Sequence, residues 1–394
     1  MTNNKSNLLQ KKITELIDSS NQKKITFADY MNLCLYDPEY GYYNSENILI
    51  GKSGDFYTSA SLSSDFGELL AIQLEEFWRV MDKPNPFHLV EVGAGEGNLT
   101  INVLNYLKTH YPNFFQSIEY IIIEKSKILA DKQKQIIKEN FDKSLISKWC
   151  QWENIENNSL QGCIFSNELI DAFPVHLVEF NQGILQEVYL TNSEGNLTEV
   201  LGNLSTVEIE DFFETLNINF SQDIYPEKYR TEVNIQALNW LETVMKKLKK
   251  GYILTIDYGY QGNKYYHPQR FQGTLKCYYQ HRHHNNPYVN IGYQDITSHI
   301  NFTALEIYGE RYGLSNIAYT PQALFLMNLG LGDRISDLSS GKIPIGEIIE
   351  RRNQLHSLIN PEGLGNFGIL LQGKNLSKEQ KNYSLKGFKN LSIS

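Results

Sequence analysis

"HLVEVGAGEGNLT", residues 88–100, joins an apolar segment to a helical pattern through three glycines on alternate positions. The residues FHLVEV predict a buried strand, and LTINVLNYLKTHY predicts a helix that stops at Pro112. Glycine adopts backbone conformations that other residues avoid and lets the backbone approach a ligand closely. In an open α/β sheet, ligands bind beside the carboxyl ends of the strands. The stretch therefore predicts a ligand site at the end of a strand.

The alternation of strand and helix continues on the carboxyl side of this stretch. Strands and helices are predicted in turn at EYIIIE, KILADKQKQIIKENF, CIFSNEL, VNIQALNWLETVMKKLKKG, YILTIDYG and, as a last strand, NFGILLQGK. Strands that are apolar throughout favour a parallel sheet with helices on both faces. The fold class is therefore α/β.

Three regions depart from this alternation. Residues 1–63 form a helical N-terminal segment, with helices predicted at 8–18 and 26–36 and a Gly-, Ser- and Tyr-rich loop. The main domain, 64–374, contains an insertion at about 176–225, whose period-two strands and N-Q-G and S-E-G-N turns predict an antiparallel element. Residues 261–302 read as a long functional loop, and 375–394 as a frayed tail.

Composition narrows the class of protein. The 394 residues carry a net charge of −9, which disfavours non-specific nucleic-acid binding and suits a cationic substrate. No apolar run approaches the ~20 residues of a membrane span, and the N-terminus lacks a signal-peptide core. The four scattered cysteines fit a reducing compartment. We therefore expect a soluble cytoplasmic protein with neither a nucleic-acid partner nor a transmembrane segment.

The spacing of the glycines narrows the range of possible ligands. A P-loop is excluded because no Lys-Ser/Thr follows, and Asn98 stands where the dinucleotide fingerprint needs its third glycine. Glu91 and Glu124 suit a ligand with an ammonium group and a ribose but no pyrophosphate, such as S-adenosylmethionine. Two alternatives stay open: a tight turn without a ligand, and a nicotinamide dinucleotide. The candidate cofactor residues at this turn are Glu91, Gly93, Gly95, Gly97 and Glu124.

The next informative stretch, CIFSNELIDAFPVH, places polar residues directly after an apolar strand. Asn167 is assigned to the cofactor, whereas Glu168 and Asp171 are candidate catalytic residues. Two carboxylates at the ligand edge of the sheet could bind a guanidinium through its fork of donors. The alternative is a helix N-terminus, with Asn167 as its cap and the two acids favoured by the helix dipole.

A cluster of histidines invites a metal interpretation. His281, His283 and His284 could ligate zinc, but no clear carboxylate or thiolate completes the set nearby. A polar loop that packs or binds substrate is the preferred interpretation, and no metal is predicted.

Several longer stretches together resemble the MidA group of methyltransferases, which includes the mitochondrial complex I assembly-factor arginine methyltransferase. They occur in the family's order between about Phe27 and Gly373: FADYMNLCLYDPEYGYY, GDFYTSASLSSDFGELLA, EVGAGEGNLT, SNELIDAFPV, LTIDYGY, GTLKCYYQHRHHNNP and GYQDITSHINFTAL. One departure is that Ala60-Ser61 replaces the family's usual Pro-Glu, so no role of that acid is carried over.

The resemblance implies a class I (Rossmann-like) methyltransferase fold that uses S-adenosylmethionine to methylate a protein arginine. The acceptor would be a partner such as a subunit of a respiratory NADH dehydrogenase-type complex, and a homodimer is allowed. A non-catalytic assembly factor that binds the cofactor and a nicotinamide or flavin oxidoreductase are the alternatives.

The resemblance and the strand positions assign further residues. Gly54, Asp55 and Phe56 would close over the cofactor, with a Gly-Asp turn as the alternative, and Trp152 would stack on the adenine unless it is a core residue. The predicted substrate channel comprises Asp257, Tyr258, Gln294, Asp295 and His299.

Overall fold

The computed structural model describes residues 2–44, 59–141, 147–221, 224–280, 282–338 and 344–389. The N-terminal segment is helical apart from one short strand. Its elements, together with the first long helix of the main domain, are α1 (Thr2–Ser19), β1 (Lys24–Thr26), α2 (Phe27–Tyr36), α3 (Ser59–Leu62) and α4 (Ser64–Val80). Thr26 begins α2 with a capping box: its hydroxyl accepts from Asp29 N at 3.0 Å, and the Asp29 carboxylate accepts from Thr26 N.

Strands and helices alternate in the first half of the main domain. They are β2 (Phe87–Val92), α5 (Asn98–His110), α6 (Pro112–Ser117), β3 (Ile118–Ile123), α7 (Lys127–Asn140), β4 (Ser147–Cys150) and β5 (Leu160–Asn167). Pro112 does end α5, but it also opens α6, since proline at the first helical position loses no hydrogen bond.

The chain then leaves the central sheet and returns to it. The elements are β6 (His176–Asn181), β7 (Ile184–Ser193), β8 (Asn196–Gly202), α8 (Glu208–Thr215), β9 (Tyr229–Val233), α9 (Ile235–Lys247) and β10 (Leu248–Asp257).

The last third carries short strands and the remaining helices. They are β11 (Gly259–Tyr260), α10 (Gly262–Tyr265), β12 (Lys276–Tyr279), β13 (Arg282–His284), β14 (Asp295–Thr297), β15 (Ile300–Asn301), α11 (Phe302–Arg311), β16 (Ser315–Pro321), α12 (Gln322–Leu329), α13 (Leu331–Asp337), α14 (Ile345–Ile359), β17 (Gly368–Lys374) and α15 (Lys378–Lys381).

The central sheet has seven strands in the order β16-β17-β10-β5-β2-β3-β4. The five strands from β10 to β4 run parallel, whereas β17 is antiparallel to both of its neighbours. Successive side chains of β10 lie on opposite faces of the sheet. Tyr252 packs in one core, with α4 and α5, and Ile253 packs in another, with α9 and α11. The predicted α/β class is confirmed.

The predicted antiparallel insertion is confirmed and is larger than expected. Gln182 (φ 51°) and Gly183 (φ 80°) join β6 to β7 in a two-residue turn with positive φ at both positions, which matches the twist of a hairpin. The sheet has the order β1-β7-β6-β9, with β8 paired to β7. It therefore reaches Val233 and includes a strand of the N-terminal segment, a pairing that no local pattern predicts.

Two expectations about irregular regions are wrong. Residues 261–302 are not one long loop, because β12 pairs with β13 and β14 in a three-stranded sheet. The segment after 375 is not frayed as far as 389: Leu385 is buried, and Lys386 N donates to Glu76 Oε2 at 2.7 Å. No helix within the described ranges is long and apolar enough to cross a membrane.

Candidate active site

A cavity of about 550 Å³ opens at the carboxyl ends of β2, β3 and β5. Strand ends at this edge bring together residues that are far apart in the chain. The predicted site residues on its wall are Glu91, Gly93, Gly95, Glu124, Trp152, Asn167 and Glu168. Most of the candidate cofactor residues thus lie around one space.

The glycine turn has left-handed backbone at each of its three glycines. Gly93 has φ 70° and Gly95 has φ 54°, a region that favours glycine. A Cβ at Gly93 would also lie 2.6 Å from Leu169 Cδ1. Gly97 differs from the expectation, since it is absent from the cavity wall. It starts α5 and packs against Ile136, with which an added Cβ would be in tight contact at 3.1 Å.

Glu91 lies beneath the glycine turn, and its carboxylate already accepts hydrogen bonds from other side chains of the protein. Its Oε2 accepts hydrogen bonds from Thr100 Oγ1, at 2.5 Å, and from the Tyr120 hydroxyl. Burial raises the pKa of Glu91 to about 7. Glu91 thus supports the turn from inside, with part of the residue reaching the cavity wall.

Glu124, at the end of β3, is better placed for a ligand. Oε1 accepts from Ser126 N at 2.9 Å, and Oε2 accepts from Gln133 Nε2 at 3.0 Å. The backbone of Lys125 also bonds to this carboxylate, and since its two oxygens have four lone pairs, at least one acceptor position is left for a ligand. Burial raises the pKa of Glu124 above its ordinary value.

A second cavity, of about 470 Å³, lies on the other side of Glu168. Glu168 lines both spaces, whereas the other described wall residues belong to one or the other. The predicted residues on the wall of the second cavity are Asp171, Tyr258, Asp295 and His299. His299 is neutral at pH 7, because burial lowers its pKa to about 3.

Glu168 is held in an unusual conformation. Its φ is 51°, uncommon for a residue with a side chain, and its backbone N donates to Ile256 O at 2.9 Å. Its Oε1 accepts from Ser59 N at 2.9 Å and from Asn167 Nδ2 at 3.1 Å. Within the described ranges both bonds go to Oε1, so Oε2 is available. Burial raises the pKa of Glu168 to about 8 and that of Asp171 to about 6.

Two residues of the predicted substrate channel do not line either cavity. Asp257 is fully buried, and its Oδ2 accepts from the backbone N–H groups of Leu169, Ile170 and Asp171 at 3.3, 2.9 and 3.3 Å. Its Oδ1 accepts from Tyr258 N at 2.9 Å. Asp257 therefore shapes the turn that carries Glu168 and Asp171.

Gln294 also has a supporting position. It is fully buried, and its Nε2 donates to Pro287 O at 2.9 Å and to Asn286 O. It therefore braces the loop between β13 and β14 rather than the channel.

Sequence reasoning missed two tyrosines that connect the two sites. Tyr36 and Tyr43 line the first cavity and stack with ring centroids 5.4 Å apart. Tyr43 donates to Oδ1 of Asp295, on the wall of the second cavity, at 2.9 Å, and its carbonyl accepts from Oγ of Ser126, on the wall of the first. Both tyrosines lie in the Tyr-rich stretch YDPEYGYY, and this composition is the feature of the sequence that could have indicated them.

Some predicted residues lie outside the described ranges, namely Gly54, Asp55, Phe56 and His281. Ala60 and Ser61, which replace the family's Pro-Glu, line the first cavity. His283 and His284 lie on β13. Among the described residues, no group of three or more His, Cys, Asp or Glu is arranged to hold a metal ion.

The polar groups around the first cavity suit S-adenosylmethionine. The glycine turn exposes backbone to the space, and Glu124 offers two carboxylate oxygens to a ribose diol. Asn167 adds a buried Oδ1 that has no hydrogen-bond partner among the described residues, a position that a ligand donor would satisfy.

A protein-family model described as an S-adenosyl-L-methionine-dependent methyltransferase matches residues 69–320. A crystal structure of a Burkholderia thailandensis protein bound to S-adenosyl-homocysteine superposes with a TM-score of 0.85 at 27% identity. The match covers 98% of this chain and 95% of that one. These similarities confirm the methyltransferase fold and the S-adenosylmethionine cofactor, and they leave the nicotinamide alternative without support.

Curated proteins with similar sequences share one protein name. The protein arginine methyltransferase NDUFAF7 homolog of Drosophila melanogaster is 27% identical over 370 residues, covering 86% of this chain and 79% of that protein. Human protein arginine methyltransferase NDUFAF7 is 26% identical over 379 residues, covering 89% and 81%. The resemblance noted in the sequence is thereby confirmed.

The predicted cytoplasmic location is wrong by the same comparison. The fly and human relatives, and one from Caenorhabditis elegans, are all named as mitochondrial proteins. The scattered cysteines and the missing signal-peptide core, on which that prediction rested, do not distinguish one reducing compartment from another.

Proposed function

We propose that this chain, which belongs to the family of S-adenosyl-L-methionine-dependent methyltransferases, transfers the methyl group to an arginine side chain of a protein. The first cavity would hold the cofactor and the second the arginine. The similar curated proteins are named protein arginine methyltransferases, which supports this acceptor.

The position of Glu168 carries the proposal. Among the described residues it alone lines both cavities, so it lies next to both the proposed cofactor space and the proposed arginine space. Glu168, Asp171 and Asp257 are three acids in a buried region, and in the part of the chain that the structure describes no cation is among the groups that shift their pKa values. Buried carboxylates are costly unless they are paired. A bound guanidinium would favour the ionised forms of these acids.

The roles of the residues follow from their contacts. When bound, S-adenosylmethionine supplies a methyl group already activated on a sulfonium. Glu168 Oε2 and Asp171 would accept hydrogen bonds from the guanidinium and fix the direction of the attacking nitrogen. That nitrogen loses a proton as its bond to the methyl carbon forms, and Glu168 is the proposed proton acceptor.

Protonation of Glu168 makes acceptor binding depend on pH. With a pKa of about 8, its carboxyl is largely protonated at pH 7 in the free protein. A bound cation favours the charged form and would release that proton. Binding of the arginine should therefore strengthen as the pH rises towards about 8.

The proposed partner is a subunit of a respiratory NADH dehydrogenase-type complex, as the family resemblance implies. Arginine suits a cavity because its long side chain can extend into it from the surface of a larger protein. A homodimer stays a prediction that gel filtration with light scattering would test.

A proteomic comparison tests the proposed acceptor. Methylarginine sites are compared by mass spectrometry in cells that lack the protein and in cells that produce it. We expect at least one methylarginine, on a subunit of that complex, to disappear with the protein. An unchanged methylarginine map, from a protein shown by calorimetry to bind S-adenosylmethionine, would instead favour the non-catalytic assembly factor.

A further inference from the structure

Gln133, on α7, is a buried amide that the cofactor and acceptor roles above leave unexplained. Its relative exposure is 0%, although burial of an amide is costly unless each polar atom finds a partner. Its Nε2 donates to Gly95 O at 2.8 Å and to Glu124 Oε2 at 3.0 Å. Its Oε1 accepts from Trp149 Nε1 at 3.1 Å.

These partners leave one orientation for the amide. The carbonyl of Gly95 and the carboxylate of Glu124 can only accept, and the indole N–H of Trp149 can only donate. A flipped amide would set its carbonyl against two acceptors and its NH₂ group against a donor. Gln133 also packs beside Gly97, where an added Cβ would lie 3.6 Å from its Cγ.

The two groups that accept hydrogen bonds from Gln133 belong to the two parts of the proposed cofactor site. Gly95 lies in the glycine turn after β2, whereas Glu124 ends β3, and both line the first cavity. One side chain therefore fixes the distance between the turn and the acid. It also occupies one acceptor position of Glu124 Oε2, which directs the other towards a ligand hydroxyl.

We propose that Gln133 is a positioning residue for S-adenosylmethionine, acting through Glu124 and the Gly95 carbonyl without touching the cofactor. It is absent from the cavity wall, whereas both of its acceptors are part of that wall. This inference rests on the proposed placement of the cofactor ribose at Glu124. A supporting residue of this kind sets the geometry of the group that binds.

Isothermal titration calorimetry with S-adenosylmethionine tests the proposal. Gln133→Met keeps the volume and removes the donors and the acceptor. We expect it to weaken cofactor binding by about 10- to 100-fold, because a misdirected carboxylate loses charged hydrogen bonds. Gln135→Met is the matched control, since Gln135 is exposed on the same helix and bonds only to Glu139 there. The control should bind as the wild type does.

Two further variants keep the test decisive if Gln133→Met fails to fold. Gln133→Glu retains the shape but sets a second carboxylate against Glu124. Its cofactor affinity should be low at pH 8 and should recover as the pH falls, because the protonated carboxyl can donate again. Trp149→Phe removes the indole N–H together with part of the ring, and should weaken binding by about 3- to 10-fold. Circular dichroism at each pH must show Gln133→Glu to be folded, so that a recovery of affinity is not a recovery of the fold.

A double-mutant cycle separates this inference from the ribose assignment. If Gln133 acts through Glu124, Gln133→Met should cost less in a Glu124→Ala background than in the wild type. Glu124→Ala binding as tightly as the wild type would overturn the ribose assignment. Weak binding by Glu124→Ala, together with normal binding by folded Gln133→Met and Gln133→Glu, would overturn the positioning role alone.

Discussion

At the scale of single residues, Glu168 combines features that stability alone does not explain. It has a positive φ, a carboxyl group in a buried region and, within the described ranges, no compensating cation among the groups that shift its pKa. Strained backbone of this kind costs about 1–3 kcal/mol and persists only where the surroundings impose it. Such residues concentrate at functional sites, where a charge must be ready for a ligand.

The raised pKa of Glu168 predicts how stability depends on pH. The carboxyl titrates near pH 4.5 when exposed and near about 8 in the folded protein, so the folded state binds more protons between these values. Its contribution to stability is complete below pH 4.5 and is lost as the pH rises through about 8. Glu168→Gln removes this loss, so the ligand-free variant should be more stable than the wild type at pH 8 by ~1 kcal/mol or more.

Urea unfolding at pH 5 and pH 8 measures this effect. The difference between variant and wild type should shrink towards pH 5, where both side chains are neutral. Glu156→Gln, at an exposed position, is the control and should show no such dependence. An identical stability difference at both pH values would mean that Glu168 does not titrate in this range.

At the scale of elements, the turn after β5 depends on the strand beside it. Asp257, at the end of β10, accepts three backbone N–H groups of residues 169–171. It therefore does for this turn what a capping residue does for a helix. The contact joins two strand ends that are adjacent only in the folded sheet.

Asp257→Asn should disturb the acceptor site without disturbing the cofactor site. The amide oxygen can still accept from the turn, but its NH₂ group then faces the N–H of Tyr258, and one buried donor is left unpaired. Such a loss costs ~1–3 kcal/mol, so we expect methyl transfer to fall roughly tenfold or more. Affinity for S-adenosylmethionine should stay within about threefold of the wild type.

Two quantities are measured and compared: the affinity for S-adenosylmethionine, by calorimetry, and the rate of methyl transfer, with labelled cofactor. Asp211→Asn, on the exposed side of α8, is the matched control. Equal losses in cofactor affinity and in transfer would indicate general destabilisation rather than support of the turn.

The sequence predicted the elements whose pattern is local and missed those fixed by distant partners. The run EYIIIE has an apolar centre and overlaps β3, which comprises Ile118–Ile123. The strand β1 has three residues, which pair with Thr191, Leu190 and Tyr189 far along the chain. Asp257 and Asp171 look alike in sequence, as acids near strand ends. Only their hydrogen bonds separate a supporting residue from one that lines a cavity.

At the scale of the whole molecule, a separate hydrophobic core supports the acceptor side. It joins side chains from α1 and α2 with the inserted sheet and the segment from β12 to β14. Tyr30 in α2 donates to Pro287 O at 2.7 Å, and Lys5 Nζ donates to Gly292 O at 3.1 Å. The central sheet thus presents the first cavity, while this separate core holds β12 and β14, whose Tyr278, Asp295 and Thr297 line the second.

Methyl transfer by Glu168→Gln tests the account most directly, because Glu168 lines both cavities. The acceptor is an extract of cells lacking the protein, in which the target arginine is unmethylated, and the donor is tritium-labelled S-adenosylmethionine. We predict that the folded variant binds S-adenosylmethionine within about threefold of the wild type and transfers methyl ~10²–10³-fold more slowly. Transfer at the wild-type rate would contradict the account and would mean that the arginine is bound elsewhere.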